Sequence, residues 1–549
     1  ALLLAATMVL TGCGGSSSGS GSGESAGTAA AGTEAAGTEA AGSEAADAGS
    51  ASTDQGEPEK ITVMIWDRGD AAPGTTAEDN ALTDWIKEQV LAECNVEVEF
   101  IPVSRGDSDN KINVMMAGDT APDLIYTYSR SLFLDYASKG GLTDLAPYVE
   151  EYGENIKTYV GDEILDLCNI DGALYGISAT GTGLECNKHN YYIRKDWLDA
   201  LGRDVPTTKQ EFIDILYEFK EKDPGNVGDN LVPWAVSGKA DTERHFTNFV
   251  FSYADEDQWD EKSMTMYEGY IKAIKPGTKE GYRILNQMYN DGIISPDFAV
   301  DTTEDKYKQD ITNGYAGVCV EDGSKPIEED WYMTLQSNVP GAEWVAINCF
   351  ENCNGDYTRP ATTRVQKTMM VPKTSEDKAE AVVKFLNWIV QPEIAGAIAN
   401  TPAAEKDENG QYIPLTKEEK YELGYPNSTG DYNLLNRNFY DLNSKEEVVQ
   451  SRLLTMPYLT EEYLSENYDT ITTDIYYEPV FKKVLESVAT YGTNLDKLVV
   501  EMQYKVVSAP VDQFDAVWDS EYKKLEEAGL NEVLAEREEY YNTYLAAGE

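Results

Sequence analysis

Six consecutive residues, Ile61-Thr62-Val63-Met64-Ile65-Trp66, form the first bulky apolar run after a long polar stretch, and they read as a buried strand. A period of three to four residues follows, with Leu82, Trp85, Ile86 and Val90 on one face, which predicts a helix. Residues 96–103 alternate as a strand, 111–117 read as a helix, and 123–128 as a third strand. Strand and helix in this alternation predict a parallel sheet with crossover helices. In such sheets ligands sit beyond the carboxyl ends of the strands, which places Trp66, Asp67, Arg68 and residues 126–130 near a cleft.

A second α/β region starts near Tyr191. Thr208 and Glu211 have the spacing of a capping box, and Phe212, Ile215, Leu216 and Phe219 follow at helical intervals. Residues 279–290 predict another helix, with Tyr282, Leu285, Met288 and Tyr289 facing inward. Residues 317–320 read as a short strand running into Glu321, Asp322 and Gly323. Thr374 is placed to cap a helix over 376–390 whose apolar stripe is Ala381, Phe385, Trp388 and Ile389, and Pro392 ends it. From Tyr477 to Leu545 the pattern is almost entirely helical. No internal repeat and no internal membrane span appears.

Before residue 61 the pattern is of another kind. Nine apolar or small residues lead directly into Leu10-Thr11-Gly12-Cys13. The run is too short for a retained bilayer span, and without an initiator Met or a basic flank it reads as the end of a signal peptide. Leu10-Thr11-Gly12-Cys13 resembles a bacterial lipobox, and that resemblance implies lipidation of Cys13. Residues 14–60 carry no bulky apolar side chain and repeat a five-residue theme at Ala31, Ala36 and Ala41, so they predict a disordered tether. As a Gly/Ser-type coil of some 45 residues it would reach roughly 35–40 Å.

Composition narrows the function. Of 549 residues 97 are acidic and 44 basic, a formal charge of −53, which argues against nucleic acid as a partner. Two histidines, His189 and His245, leave little material for imidazole catalysis or a helical zinc pair. The seven cysteines contain no CxxC. Cys349 and Cys353 are the one close pair, and spacing alone leaves their redox state open.

The stretch Tyr192-Ile193-Arg194-Lys195-Asp196-Trp197-Leu198-Asp199-Ala200-Leu201-Gly202, followed by Val205-Pro206-Thr207-Thr208, resembles a signature of family 1 extracellular solute-binding proteins, the lipoprotein subunits of carbohydrate-type ABC importers. Further segments match in order: 118–123, 141–145, 171–177, 292–298, 314–318, 371–374 and the closing helices around Trp518 and 523–534. The resemblance spans residues 61–544. It implies an α/β, two-lobed periplasmic-binding-protein-like fold with a hinge, an interlobe cleft and a helical C-terminal region. It also implies discontinuous lobes, set at 61–185 plus about 345–410 and at about 186–344 plus about 411–549. The expected partners are a carbohydrate, ABC permease subunits and the membrane through Cys13. The expected location is the outer face of the cytoplasmic membrane, with the protein a monomer. Some relatives carry a calcium loop. Here the matching stretch, residues 223–230, is shorter in ligand oxygens and lacks a closing bidentate Glu, so it is read as a turn, calcium near Asp223 being the less favoured option and no other cofactor expected.

A sugar presents apolar faces and hydroxyl rims, so its cleft needs aromatic rings with carboxylates, amides or arginines at strand ends. The candidates are Trp66, Arg68, Tyr126 and Tyr128 from the first region and Trp234, Glu321, Asp322 and Trp331 from the second. No catalytic residue is assigned. Two other classes stay open: a surface glycoside hydrolase, which would need two carboxylates across a glycosidic bond, and a tethered sugar-binding adhesin or sensor without a transporter.

Overall fold

The computed structural model describes residues 56–180, 189–239, 244–360, 364–408, 410, 412–435 and 444–546. Cys13, Cys186 and nearly all of the tether lie outside them. Nine strands position the site: β1 (Glu59–Asp67), β2 (Val96–Ser104), β3 (Ile125–Thr127), β4 (Ile177–Thr180), β5 (Asn190–Arg194), β6 (Val232–Trp234), β7 (Ala316–Glu321), β8 (Trp344–Ile347) and β9 (Val365–Met370).

The first hydrophobic core is built around β1, which is buried at every position from Val63 to Trp66. β2 pairs with β1 in parallel, and β3 joins its other side through Val63 and Leu124, with Met64 N–H donating to Leu124 O at 2.9 Å. β9 then runs antiparallel to both β3 and β4. The sheet is therefore mixed, in the order β2-β1-β3-β9-β4, where the strand–helix alternation predicted a parallel one. The two antiparallel pairings come from a strand 240 positions downstream that local pattern does not tie to this sheet. The helix Ala81–Cys94 packs its Leu82, Ile86 and Val90 against the sheet. Asn80 caps it, donating backbone N–H to Thr83 and accepting from the N–H groups of Leu82 and Thr83.

The second core surrounds the sheet β8-β5-β7-β6, in which β5 is antiparallel to β7 and β8 while β6 is parallel to β7. The capping box at Thr208 and Glu211 forms as the spacing predicts, and Phe212, Ile215, Leu216 and Phe219 are buried. Gly317 is required in β7: a Cβ there would lie 2.6 Å from the Phe219 ring and 2.8 Å from Trp197. Asp223 caps the same helix in a left-handed conformation, its carboxylate accepting from Val227 N–H at 3.0 Å and Gly228 N–H at 2.8 Å.

Two expected helices are trimmed, for visible reasons. Residues 373–378 form a 3-10 turn, so the helix begins at Ala379, and Pro392 starts the next helix (Pro392–Asn400) at its first position, where its missing N–H costs nothing. Residues 478–485 lack regular structure, and the long C-terminal helix begins at Glu486. Pro479 interrupts the donor ladder there, and the Phe481 carbonyl is used by Arg130 at 2.9 Å instead.

Three hydrophobic clusters of buried residues form among the described residues. The first takes in residues 61–177 and 369–398 and then Tyr425, Tyr432, Leu434 and Leu435. The second and an adjoining third hold 191–350 and 449–533. Residues 345–350 thus pack with the second core, and 425–435 with the first. Cys349 is buried in the second core and Cys353 is exposed; both are free thiols. No helix among the described residues is long and apolar enough to cross a membrane.

Arg359 packs with the second region and Val365 opens β9 in the first, so the chain passes between the cores after Arg359, which is anchored there. That side chain is 4 % exposed. Its guanidinium donates to Asn190 Oδ1 at 3.1 Å, Thr470 O at 2.5 Å and Thr473 O at 2.7 Å, while its own N–H donates to Asp474 O at 3.0 Å. Burial draws its pKa down to about 10, against the pull of Asp474. Replacing it by methionine strands a buried acceptor at Asn190 and two partly buried carbonyls at Thr470 and Thr473. The expected cost of Arg359→Met is about 3 kcal/mol, read as a lower urea midpoint at unchanged slope.

Candidate functional site

Strand direction brings two edges together. β3 ends at Thr127 opposite Thr368, and β4 ends at Thr180 opposite Val365, so β9 begins where β3 and β4 finish. β1 and β2 run parallel to β3 and finish on that edge too, at Asp67 and Ser104. In the second sheet Asn190, the start of β5, pairs with Glu321, the end of β7, and β6 ends on the same side. The crossing from Pro360 to Val365 spans at most about 18 Å, and Arg359 is bonded to Asn190. The carboxyl ends of both sheets therefore lie near the two ends of this short connection.

On the first edge, Trp66, Tyr126 and Tyr128 form one aromatic group. Ring centroids lie 4.7 Å apart for Trp66 and Tyr126 and 5.4 Å apart for Trp66 and Tyr128. The Tyr126 hydroxyl accepts from Trp66 N–H at 3.1 Å and is fully buried, which pushes its pKa well up. Trp66 is 4 % exposed, and its indole N–H has no protein partner among the described residues. Tyr128 is 42 % exposed and presents its ring outward. Cations surround the group. The Arg105 guanidinium lies 5.1 Å from the Trp66 ring and Lys367 5.3 Å from Tyr126. Arg68 forks onto Asp431, with Nη2 to Oδ1 at 2.9 Å.

The segment carrying Asp431 is fastened alongside. Asp70 accepts from Asn427 N–H at 3.1 Å and from Ser428 N–H at 3.0 Å, and Lys367 donates to the carbonyl of Asn433 at 3.2 Å.

On the second edge, Glu321 and Asp322 lie together as expected, each already engaged. Arg244 donates to Glu321 at 3.0 Å, to Glu304 at 2.5 Å and to Val320 O at 3.1 Å. Ser237 Oγ stands 3.2 Å from Glu304 and 3.0 Å from His245 Nε2. Burial, reinforced by Arg244, lowers the His245 pKa well below its ordinary value, so the ring is neutral near pH 7. The half-exposed Asp322 accepts from His189 N–H at 2.9 Å.

Two candidates do not reach this edge. Trp234 is fully buried, with Tyr191, Phe212, Phe246 and Phe249 within 5.4–5.9 Å of its ring. β6 does end toward the cleft, but its alternation turns this side chain into the core. Trp331, 7 % exposed, sits on the helix Glu329–Asn338 against Tyr307, in the third hydrophobic cluster. Conversely, Arg105 was passed over although it directly follows β2, a position the strand-end argument reaches. Asp431, Lys367, Arg244 and Glu304 carry no local signal, being brought in by distant segments.

Fold and cleft define a two-region α/β binding scaffold, its site shared between strand ends. The sequence matches the family model described as bacterial extracellular solute-binding protein over residues 72–396, and the chain belongs to that family. It is 24% identical over 469 residues to lipoprotein LipO of Bacillus subtilis (strain 168), covering 82% of this chain and 86% of LipO. It is 25% identical over 225 residues to the fructooligosaccharide ABC transporter substrate-binding protein FusA of Streptococcus pneumoniae, covering 38% of this chain and 41% of FusA. The FusA structure in complex with kestose superposes with a TM-score of 0.60 at 17% identity, over 89% of this chain and all of that one. An extracellular solute-binding protein of Bifidobacterium longum subsp. infantis gives a TM-score of 0.64 at 15% identity, over 89% and 98%.

Glu321 offers a pH test. Burial raises its pKa from the ordinary 4.5 to about 7, against the pull of Arg244. Between these values the folded carboxyl holds a proton that the unfolded one has released, so this group makes stability fall as pH rises. Glu321→Gln removes that contribution. The melting temperature measured between about pH 4.5 and 7 should decline less steeply in the variant. Glu268, also raised by burial, retains its own share of the slope.

Proposed function

We propose that this protein captures a carbohydrate, an oligosaccharide in particular, between the two strand edges and delivers it to an ABC importer. The observation that carries this reading is the aromatic group of Trp66, Tyr126 and Tyr128, with Arg68 and Arg105 beside it. An exposed tyrosine face can stack on a pyranose, while arginines and a carboxylate can bond its hydroxyls. FusA, a relative named for fructooligosaccharide transport, lends support from outside the chain.

Bound sugar would contact both edges only when they approach, so closure about the crossing is favoured by the ligand itself. The closed form then docks on permease subunits, and the protein acts as a carrier without turnover. The lipobox at Cys13 supports attachment to the outer face of the cytoplasmic membrane, and LipO is itself named a lipoprotein.

Thermal-shift titration against neutral and acidic oligosaccharides, with chromatography of each mixture afterwards, tests the reading. A ligand at about a hundred times its Kd should stabilise by roughly 2.7 kcal/mol. Tyr128→Ala should weaken that ligand about tenfold while leaving the ligand-free melting temperature nearly unchanged. Cleaved sugar in the mixtures would replace the carrier with a hydrolase. Separately, Cys13→Ala should move the protein from the membrane fraction to the medium; retention at the membrane would overturn the lipid anchor.

A further inference from the structure

A second concave site lies beside the crossing. It is a cavity of about 620 Å³, within the range of roughly 300–1,000 Å³ usual for small-molecule sites. None of the eight residues chosen from the sequence lines it. Its walls carry four aromatic residues, Trp259, Tyr476, Tyr477 and Tyr540, together with the carboxylates of Glu261 and Asp356. Both carboxylates are exposed and make no ion pair among the described residues.

The cavity is assembled from every part of the fold. Leu167 comes from the first region, Trp259 and Glu261 from the second, Thr358 from the crossing and Tyr540 from the C-terminal helices. The segment between Tyr476 and Lys482 is bolted to the first region, where Arg130 donates to both Leu167 O and Phe481 O and Lys482 pairs with Asp166. Arg130 follows Tyr128 by two residues and holds Leu167 O and Phe481 O, so one short stretch of chain links the cleft to the segments that form the cavity wall.

The lining selects a ligand class. Four rings suit the C–H faces of sugar rings, and two unpaired acids with Asn352 suit hydroxyl rims. A purely apolar ligand would leave those carboxylates to be desolvated without return. A cation is disfavoured because Lys275 Nζ already lies 5.9 Å from the Trp259 ring and Lys482 lines the opening. We propose that this cavity is a saccharide site distinct from the strand-end cleft, holding one or two sugar rings at the hinge. The proposal rests on the carbohydrate reading of the protein.

Isothermal titration of the full chain with kestose, maltotriose and trigalacturonate, counting sites, provides the test. At least one probe should show two classes of site. Tyr477→Ala and Glu261→Gln should each weaken one class by about tenfold and spare the other, while Tyr128→Ala should do the reverse. Glu261 is exposed, so its variant still reports if Tyr477→Ala folds poorly. A single site that is lost in Tyr128→Ala and indifferent to both cavity substitutions overturns the cavity and leaves the cleft reading standing. A single site sensitive only to the cavity substitutions upholds the cavity and overturns the cleft. Binding by none of the probes overturns both.

Discussion

Each hydrophobic core is assembled from stretches of chain that are not consecutive, and the backbone must therefore pass between the cores where it can lean on neither. At Arg359 the passage is held by polar contacts alone. A guanidinium withdrawn from water is stabilised only when its donors find acceptors, and here an asparagine side chain and two carbonyls at the end of the helix Glu461–Thr472 supply them. Because Asn190 opens β5 and Arg359 precedes β9, the same contact sets the separation of the two strand edges. The site's geometry depends on that anchor before any ligand contact is considered.

The cleft divides its labour between buried and exposed groups. Trp66 and Tyr126 are too enclosed to meet a solute face-on, so their part is to fix the wall. Tyr128 is the ring that solvent reaches. The opposite wall holds its charges in place through Arg244, which joins Glu304 and Glu321 and leaves Asp322 partly open. Such an arrangement loses little side-chain entropy on binding, since most polar groups are already oriented.

Much of this was legible along the chain, and the exceptions share a cause. Periodicity located the buried strand before Trp66, the helix behind it and the capping box at Thr208, because each depends on neighbours within a turn or two. The strand-end argument put Trp66, Arg68, Tyr126 and Tyr128 on one surface for the same reason. It misjudged Trp234, since the parity of a three-residue strand cannot be read without knowing which face is covered. It could not reach Asp431, which meets Arg68 across 363 positions, nor the antiparallel β9 that turns the sheet from parallel to mixed. Residues 478–485 looked helical by composition, yet Pro479 and the demand of Arg130 for a carbonyl overruled that preference.

The discontinuity of the first core also bears on how the chain comes to be folded. Its sheet lacks β9 until about 185 residues after β4 have been made, and its apolar lining is incomplete until Leu435, later still. At ribosomal speed that interval is on the order of tens of seconds, during which β3 has an open edge and the residues of its face have no partner. A nascent chain in that condition has no finished domain to trap it. It stays threadable through a narrow pore over that interval, and the late arrival of β9 acts as the bolt that closes the sheet of the first region once about two thirds of the chain is present.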